Sequence, residues 1–290
     1  MAWSERQQAM LKGMGLRVWT PPAPDETAPA DSAEPPRQAV ALTTVAATVM
    51  EQVVPTRRAA GPGPVLAPAA VPAVPAGRHE SHPAPDADAE QRARHIATLD
   101  WPALRQAAAD CKACGLCAER RQAVFGVGHP RAHWMVVGEA PGEQEDLKGE
   151  PFVGPSGELL DAMLRALALS RAEDGPAPPA QRVYIANTVK CRPPRNRNPA
   201  ADEMARCEPF LVRQIQLVQP RIILAMGRFA VQALLRTTEP IGKLRGRVHS
   251  YQGVPLIVTY HPAYLLRNLP DKARAWDDLC LAADTAALAG

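Results

Sequence analysis

Residues 134–146 read WMVVGEAPGEQED, four apolar positions that break at Gly138 into a polar, glycine-punctuated loop. Three more runs share the apolar, β-rich make-up of the first: Val183–Ala186, Ile222–Ala225 and Pro255–Thr259. Helical patterns separate them, over Gly157–Ala168, Ala201–Val218 and Arg228–Leu235. Short, wholly apolar strands alternating with helices predict a parallel sheet covered on both faces. The expected fold is a three-layer α/β/α arrangement around a central four-stranded parallel sheet. Ligands of such sheets bind beyond the carboxyl ends of the strands. The most unusual polar sequences fall there. GEAPGEQED follows the first strand, NTVKC (187–191) ends the second, and YHPAYLLR (260–267) follows the last.

Towards the N-terminus the pattern changes. A helix is expected over Ile96–Ala109, with Asp100 as a cap and Pro102 in a first turn. Before it, no aromatic residue occurs between Trp19 and Trp101, and residues 21–85 hold 14 Pro and 16 Ala. Such a stretch cannot bury enough apolar surface to offset its ordering entropy. The chain is therefore expected to divide into a short docking helix for a protein partner (1–20, with Met10, Leu11, Met14 and Leu16 on one side), a disordered linker (21–95) and a folded domain (96–290). Net charge is +3, from 33 Lys+Arg and 30 Asp+Glu. Up to residue 95 there are nine basic and ten acidic residues, beyond it 24 and 20, so the folded part is mildly basic. No run of 18 apolar residues exists and the first residues do not form a secretory signal, which predicts a cytoplasmic protein without a membrane partner.

In a reducing compartment, clustered cysteines more often bind metal than form disulfides. Cys111 and Cys114 form a CxxC, and Cys191 and Cys207 flank the loop RPPRNRNPAADEMAR. Four thiolates from two distant groups suit an iron–sulfur or a zinc site, and ligand type alone does not separate them. Cys117 continues the series as CxxCxxC and competes as a ligand. Cys280, in DDLCLAADTAALA, reads as a buried structural thiol.

Taken together, CKAC, VFGVGHPRA, VVGEAPGEQED, GEPFVGPSGELLDAML, NTVKCRPPRNRNP, the cysteine at 207 and HPAYLLR make the sequence resemble the family 4 uracil-DNA glycosylases, in order and over about 110–268. The resemblance implies hydrolysis of the glycosidic bond of deoxyuridine in DNA, single or double stranded. It implies a structural 4Fe–4S cluster on Cys111, Cys114, Cys191 and Cys207, in preference to zinc, with Cys117 left over. It also implies a monomeric, monofunctional enzyme associated with the nucleoid. A covalently trapping relative carries an inserted KRRIH-type segment, which NTVKCRPPRNRNP lacks. The different class held open is a non-catalytic iron–sulfur or zinc DNA-binding module linked to a polymerase.

Site residues follow from this chemistry. A base in a duplex must be flipped out to be reached. Phe152 can stack on the extruded pyrimidine, or anchor its loop in the core. Asn187 can pair with N3–H and O4 of uracil, leaving cytosine with two mismatches, or close a turn. His261 is placed by the resemblance beside O2, where a donor stabilises the departing charge. The resemblance also places Glu139, Glu145 and the backbone of Ala140 around the base and its attacking water, with Asn196 a further site position. Glu143 is not ranked against Glu145. Leu265, Leu266 and Arg267 form a candidate wedge for the hole left in the duplex, with a core leucine pair as the alternative. Lys190, Arg192, Arg195 and Arg197 form one basic loop for phosphates, and Lys243, Arg245 and Arg247 another.

Overall fold

A computed structural model of the chain describes residues 87–288 and, upstream of them, Gly13. The remainder of the expected docking helix, and the expected linker as far as residue 86, lie outside the described residues.

The sheet has six strands in the order β1-β3-β2-β4-β6-β5. Its centre is the expected parallel set: β2 (Trp134–Gly138), β3 (Val183–Asn187), β4 (Ile222–Met226) and β6 (Val254–Thr259). Two short antiparallel strands extend it, β1 (Val127–Gly128) beside β3 and β5 (Val248–Tyr251) beside β6. The sequence reading missed both. β1 is only two residues long, and the burial of β5 alternates between exposed and half-buried, so neither carries a continuous apolar run.

The central strands are buried almost throughout, with successive side chains serving opposite faces. Val136, Ile185, Leu224 and Ile257 pack with α4 (Gly154–Ala166) and α9 (Asp271–Leu288), through Leu160, Met163, Trp276 and Leu279. Met135, Val137, Tyr184, Ala186, Ile223 and Val258 pack with α5 (Ala201–Val218) and α6 (Arg228–Leu235). The remaining short helices are α3 (Glu143–Lys148), α7 (Ile241–Leu244) and α8 (Pro262–Arg267).

The single helix expected over Ile96–Ala109 is two: α1 (Ala87–Thr98) and α2 (Trp101–Ala109). Proline at 102 has no N–H to continue a helix from Thr98. Asp100 instead caps a new helix, accepting from Ala103 N at 3.0 Å. Residues 87–95 therefore belong to ordered chain rather than to the linker expected over 21–95. The α1 sequence is polar, and among its residues only Ile96 is fully buried. Arg92 holds it down, donating to the Arg206 carbonyl at 2.6 Å and lying over the Phe210 ring. A third apolar cluster, with Leu104, Leu116, Phe125, Val189 and Phe210, packs beside Cys191 and Cys207.

Candidate active site and thiol centre

Three side chains meet beyond the carboxyl ends of β2, β3 and β6. Asn187 is the last residue of β3 and pairs with Gly138, the last of β2. At Gly138 a β-carbon would lie 2.5 Å from both Asn187 Oδ1 and Phe152 Cζ, so only glycine lets the two side chains approach there. The Phe152 ring stacks on the His261 imidazole, centroids 5.2 Å apart.

The backbone sets the position of Phe152. Its φ is +55°, a left-handed conformation that stores on the order of 1–3 kcal/mol. Arg171 holds it by donating to the carbonyls of Pro151 (3.1 Å) and Phe152 (2.9 Å) while pairing with Asp161. Gly157 lets the first turn of α4 pass close by, since a β-carbon there would meet the Phe152 oxygen at 1.9 Å. Glu145 completes the brace, accepting from Val153 N through Oε1 and from Gly142 N through Oε2, both at 3.0 Å.

Asn187 Oδ1 is buried and has no hydrogen-bond partner. A buried acceptor left unpaired is unfavourable by about 1–3 kcal/mol, which marks it for a ligand donor. His261 caps α8, its Nδ1 accepting from Ala263 N at 3.2 Å, so Nε2 carries the proton. Burial, helped by the charge of Arg267, pushes this histidine down to about 4, and the ring is neutral at physiological pH. Burial holds the Glu139 carboxyl above the usual range, against the pull of Arg228.

The other carboxylates of the acidic loop divide by contact. Glu143 is exposed and faces Arg192 at 3.5 Å. Asp146 is buried and accepts from Arg121 N at 3.0 and 3.1 Å. Both Glu145 oxygens are engaged by backbone amides, so that residue braces the Phe152 loop; the sequence left open which of Glu139, Glu143 and Glu145 orients the water. Ala140 packs at the edge of the thiol cluster. Asn196 is exposed, with φ +54°, and accepts from Arg192 Nε at 2.8 Å.

Several expected DNA contacts fall elsewhere. Lys190 is 1% exposed, its Nζ bonded to the Asn187 carbonyl (2.8 Å) and to Gln214 Oε1 (2.6 Å), so it cannot reach a phosphate. Leu265 is 1% exposed and packs in the core; of the leucine pair only Leu266 faces outward. Arg245 pairs with buried Asp278 at 3.0 Å, and Arg197 makes a two-pronged pair with Glu203. Arg195, Lys243, Arg247 and Arg267 are exposed, and Arg192 partly so.

Five cysteines, Cys111, Cys114, Cys117, Cys191 and Cys207, line one small pocket of about 10 Å³. Three cationic side chains share it: Arg120, Lys190 and Arg206. Arg120 donates to Cys191 Sγ at 2.8 Å, and Lys190 N donates to Cys207 Sγ at 3.3 Å. Burial pushes the Cys207 thiol up to about 12 and raises Cys191 and Cys114 as well. Thiols in that state ionise only against strong local positive charge. Among the described residues no three of His, Cys, Asp and Glu converge tightly enough for a single metal ion.

Fold and site define an α/β protein that gathers an aromatic ring, a carboxamide and a neutral imidazole at its strand ends, next to a thiol-lined cavity. The family described as the uracil DNA glycosylase superfamily matches residues 125–280. A type-4 uracil-DNA glycosylase of Saccharolobus solfataricus is 43% identical over 169 residues, 55% of this chain and 74% of its own length. One from Archaeoglobus fulgidus is 40% identical over 164 residues, 54% of this chain and 78% of its own. A third, from Pyrobaculum aerophilum, is 38% identical over 193 residues, 63% of this chain and 93% of its own. The chain belongs to the uracil DNA glycosylase superfamily.

Proposed function

We propose that the protein is a uracil-DNA glycosylase that starts base-excision repair. It extrudes deoxyuridine from DNA, hydrolyses its N-glycosidic bond and leaves uracil and an abasic site. The observation that carries this reading is the unpartnered Asn187 Oδ1, set beside Phe152 and His261. Uracil N3–H is the donor that this acceptor lacks, and the Asn187 amide NH₂ suits O4. Cytosine offers an acceptor at N3 and an amino group at C4, so both contacts fail.

Bond cleavage sends the bonding electron pair onto the base, spreading charge over N1, O2 and O4. A neutral His261 with its proton on Nε2 is a donor for O2 that carries no charge of its own to be neutralised. Removing one such donor typically lowers the rate by about 10²–10³-fold. Water oriented by Glu139 adds at the sugar carbon, and the proton it gives up neutralises the departing uracil anion. Leu266 fills the gap in the duplex, and Arg192, Arg195, Lys243, Arg247 and Arg267 meet phosphates. The partner is therefore DNA and the compartment the cytoplasm. Among the described residues no helix is long and apolar enough to cross a membrane.

The thiol-lined pocket supplies the donors that an iron–sulfur or a zinc centre needs. We propose a 4Fe–4S cluster on Cys111, Cys114, Cys191 and Cys207, with Arg120 and Lys190 beside its thiolates. Such a group supplies an anionic hub joining the 111–114 segment to the 191–207 loop. Brown protein holding equal iron and acid-labile sulfide supports it, and stoichiometric zinc overturns it.

The activity test is a labelled oligonucleotide with one deoxyuridine, incubated with protein and then alkali. A cut at that position, absent for Asn187→Ala and strongly reduced for His261→Ala, is the expected result. An intact strand with wild-type protein overturns the reading.

A further inference from the structure

Lys190 is enclosed, and each of its polar groups is engaged. Its backbone N donates to Cys207 Sγ at 3.3 Å, and its carbonyl accepts from Val124 N at 2.8 Å. Its ammonium donates to the main-chain oxygen of Asn187 at 2.8 Å and to Gln214 Oε1 at 2.6 Å. Gln214 in turn donates to Tyr184 Oη at 3.0 Å and to the Phe125 carbonyl at 2.9 Å. Both acceptors of the ammonium are neutral, a main-chain carbonyl and a carboxamide oxygen.

We infer that Lys190 is a positioning residue that ties the base-reading Asn187 to the thiol centre. Only Thr188 and Val189 lie between the two along the chain, and the ammonium closes that segment into a loop by gripping the Asn187 carbonyl. The opposite side of this segment is held to the β2 end, where Thr188 N donates to the Gly138 carbonyl at 3.0 Å and Val189 N to that of Glu139 at 3.3 Å. The strand end is thus clamped from both sides, by the carbonyls at the end of β2 on one and by the Lys190 ammonium on the other, and the main chain of the same lysine is bonded to Cys207 Sγ. The ammonium holds the Asn187 main chain, and with it the carboxamide, at the strand end. Small displacements of a recognition group weaken function steeply, by about 10²-fold for 1 Å.

This inference rests on reading Asn187 as the base selector, and the test separates the two. Full-length protein with its metal centre loaded is titrated with free uracil and with 3-methyluracil, whose methyl group blocks pairing at N3. Wild-type protein prefers uracil. Lys190→Met keeps an apolar stem of similar length and removes the charge. The expected result is retained iron, a preference for uracil reduced about tenfold, and a shifted NMR signal for the Asn187 side-chain amide. A purely structural lysine would lower the yield of folded protein and leave the preference intact. Gln214→Leu provides the second variant, freeing the ammonium on one side, with an expected loss of about threefold. Unchanged preference and an unshifted amide signal in either folded, iron-loaded variant overturn the role of Lys190. No preference in the wild type overturns the reading of Asn187 instead.

Discussion

Phe152 and His261 lie ring on ring, their planes 26° from parallel. One comes from a left-handed turn before α4, the other from the cap of α8. Their contact sets the proposed stacking surface against the proposed oxyanion donor. Stacking on an aromatic ring is worth about 1–3 kcal/mol per base. Phe152→Ala is therefore expected to lower kcat/KM on a deoxyuridine oligonucleotide by about 10- to 100-fold. Single-turnover assays check this.

Asn187→Ala separates stability from function. The substitution removes a buried acceptor that has no partner. The variant should melt at the wild-type temperature or above it while uracil release disappears. Calorimetry beside the cleavage assay decides. A large fall in Tm would show that the side chain is structural.

Gly138→Ala is the steric counterpart. The new methyl group would overlap Asn187 Oδ1 and Phe152 Cζ. Overpacking of this kind destabilises by about 1–3 kcal/mol. Denaturant melts should show that loss, and binding of free uracil should be abolished.

His261 adds a pH dependence. Its value in the folded protein is about 4, against 6.5 for an exposed imidazole. Between these values the unfolded chain takes up a proton that the folded chain refuses. The contribution is fully present above pH 6.5 and is lost as pH falls towards 4, on the order of 3 kcal/mol in all. His261→Asn keeps a capping side chain but does not titrate. The stability gap between wild type and this variant should shrink across that interval in urea melts at stepped pH.

The basic loop at 243–247 divides in two. Arg245 pairs with Asp278, which is fully buried and also accepts from Thr259 Oγ1 at 2.9 Å and Gly246 N at 3.2 Å. Arg245→Met leaves that carboxylate short of its cation and should destabilise by about 3 kcal/mol. Arg247→Ala should leave Tm unchanged and flatten the salt dependence of DNA binding by a log–log slope of about 0.9.

The contrast shows what the sequence made legible. Strand ends were visible because a wholly apolar run stopping at a polar residue marks both the element and its boundary. That rule located Asn187 and His261. Phe152 came from its glycine- and proline-bounded loop. Lys190 was misread because it stands among arginines, yet it lies between Val189 and Cys191, both of which turn inward. Leu265 could have been found: it is three residues from Pro262, and both face the core from α8. The Arg245–Asp278 pair had no local signal, since its partners are 33 residues apart and only the completed sheet brings them together. The polar α1 was equally silent, because its one anchoring apolar residue shows no periodicity.

The imidazole proposed to donate towards the base also accepts the first amide of the helix bearing Leu266 and Arg267. In the proposed mechanism, chemistry and duplex invasion are thus hinged on one ring. A push on that helix is delivered to the proposed proton donor, and a lesion at this position is expected to disable the search and the scission together.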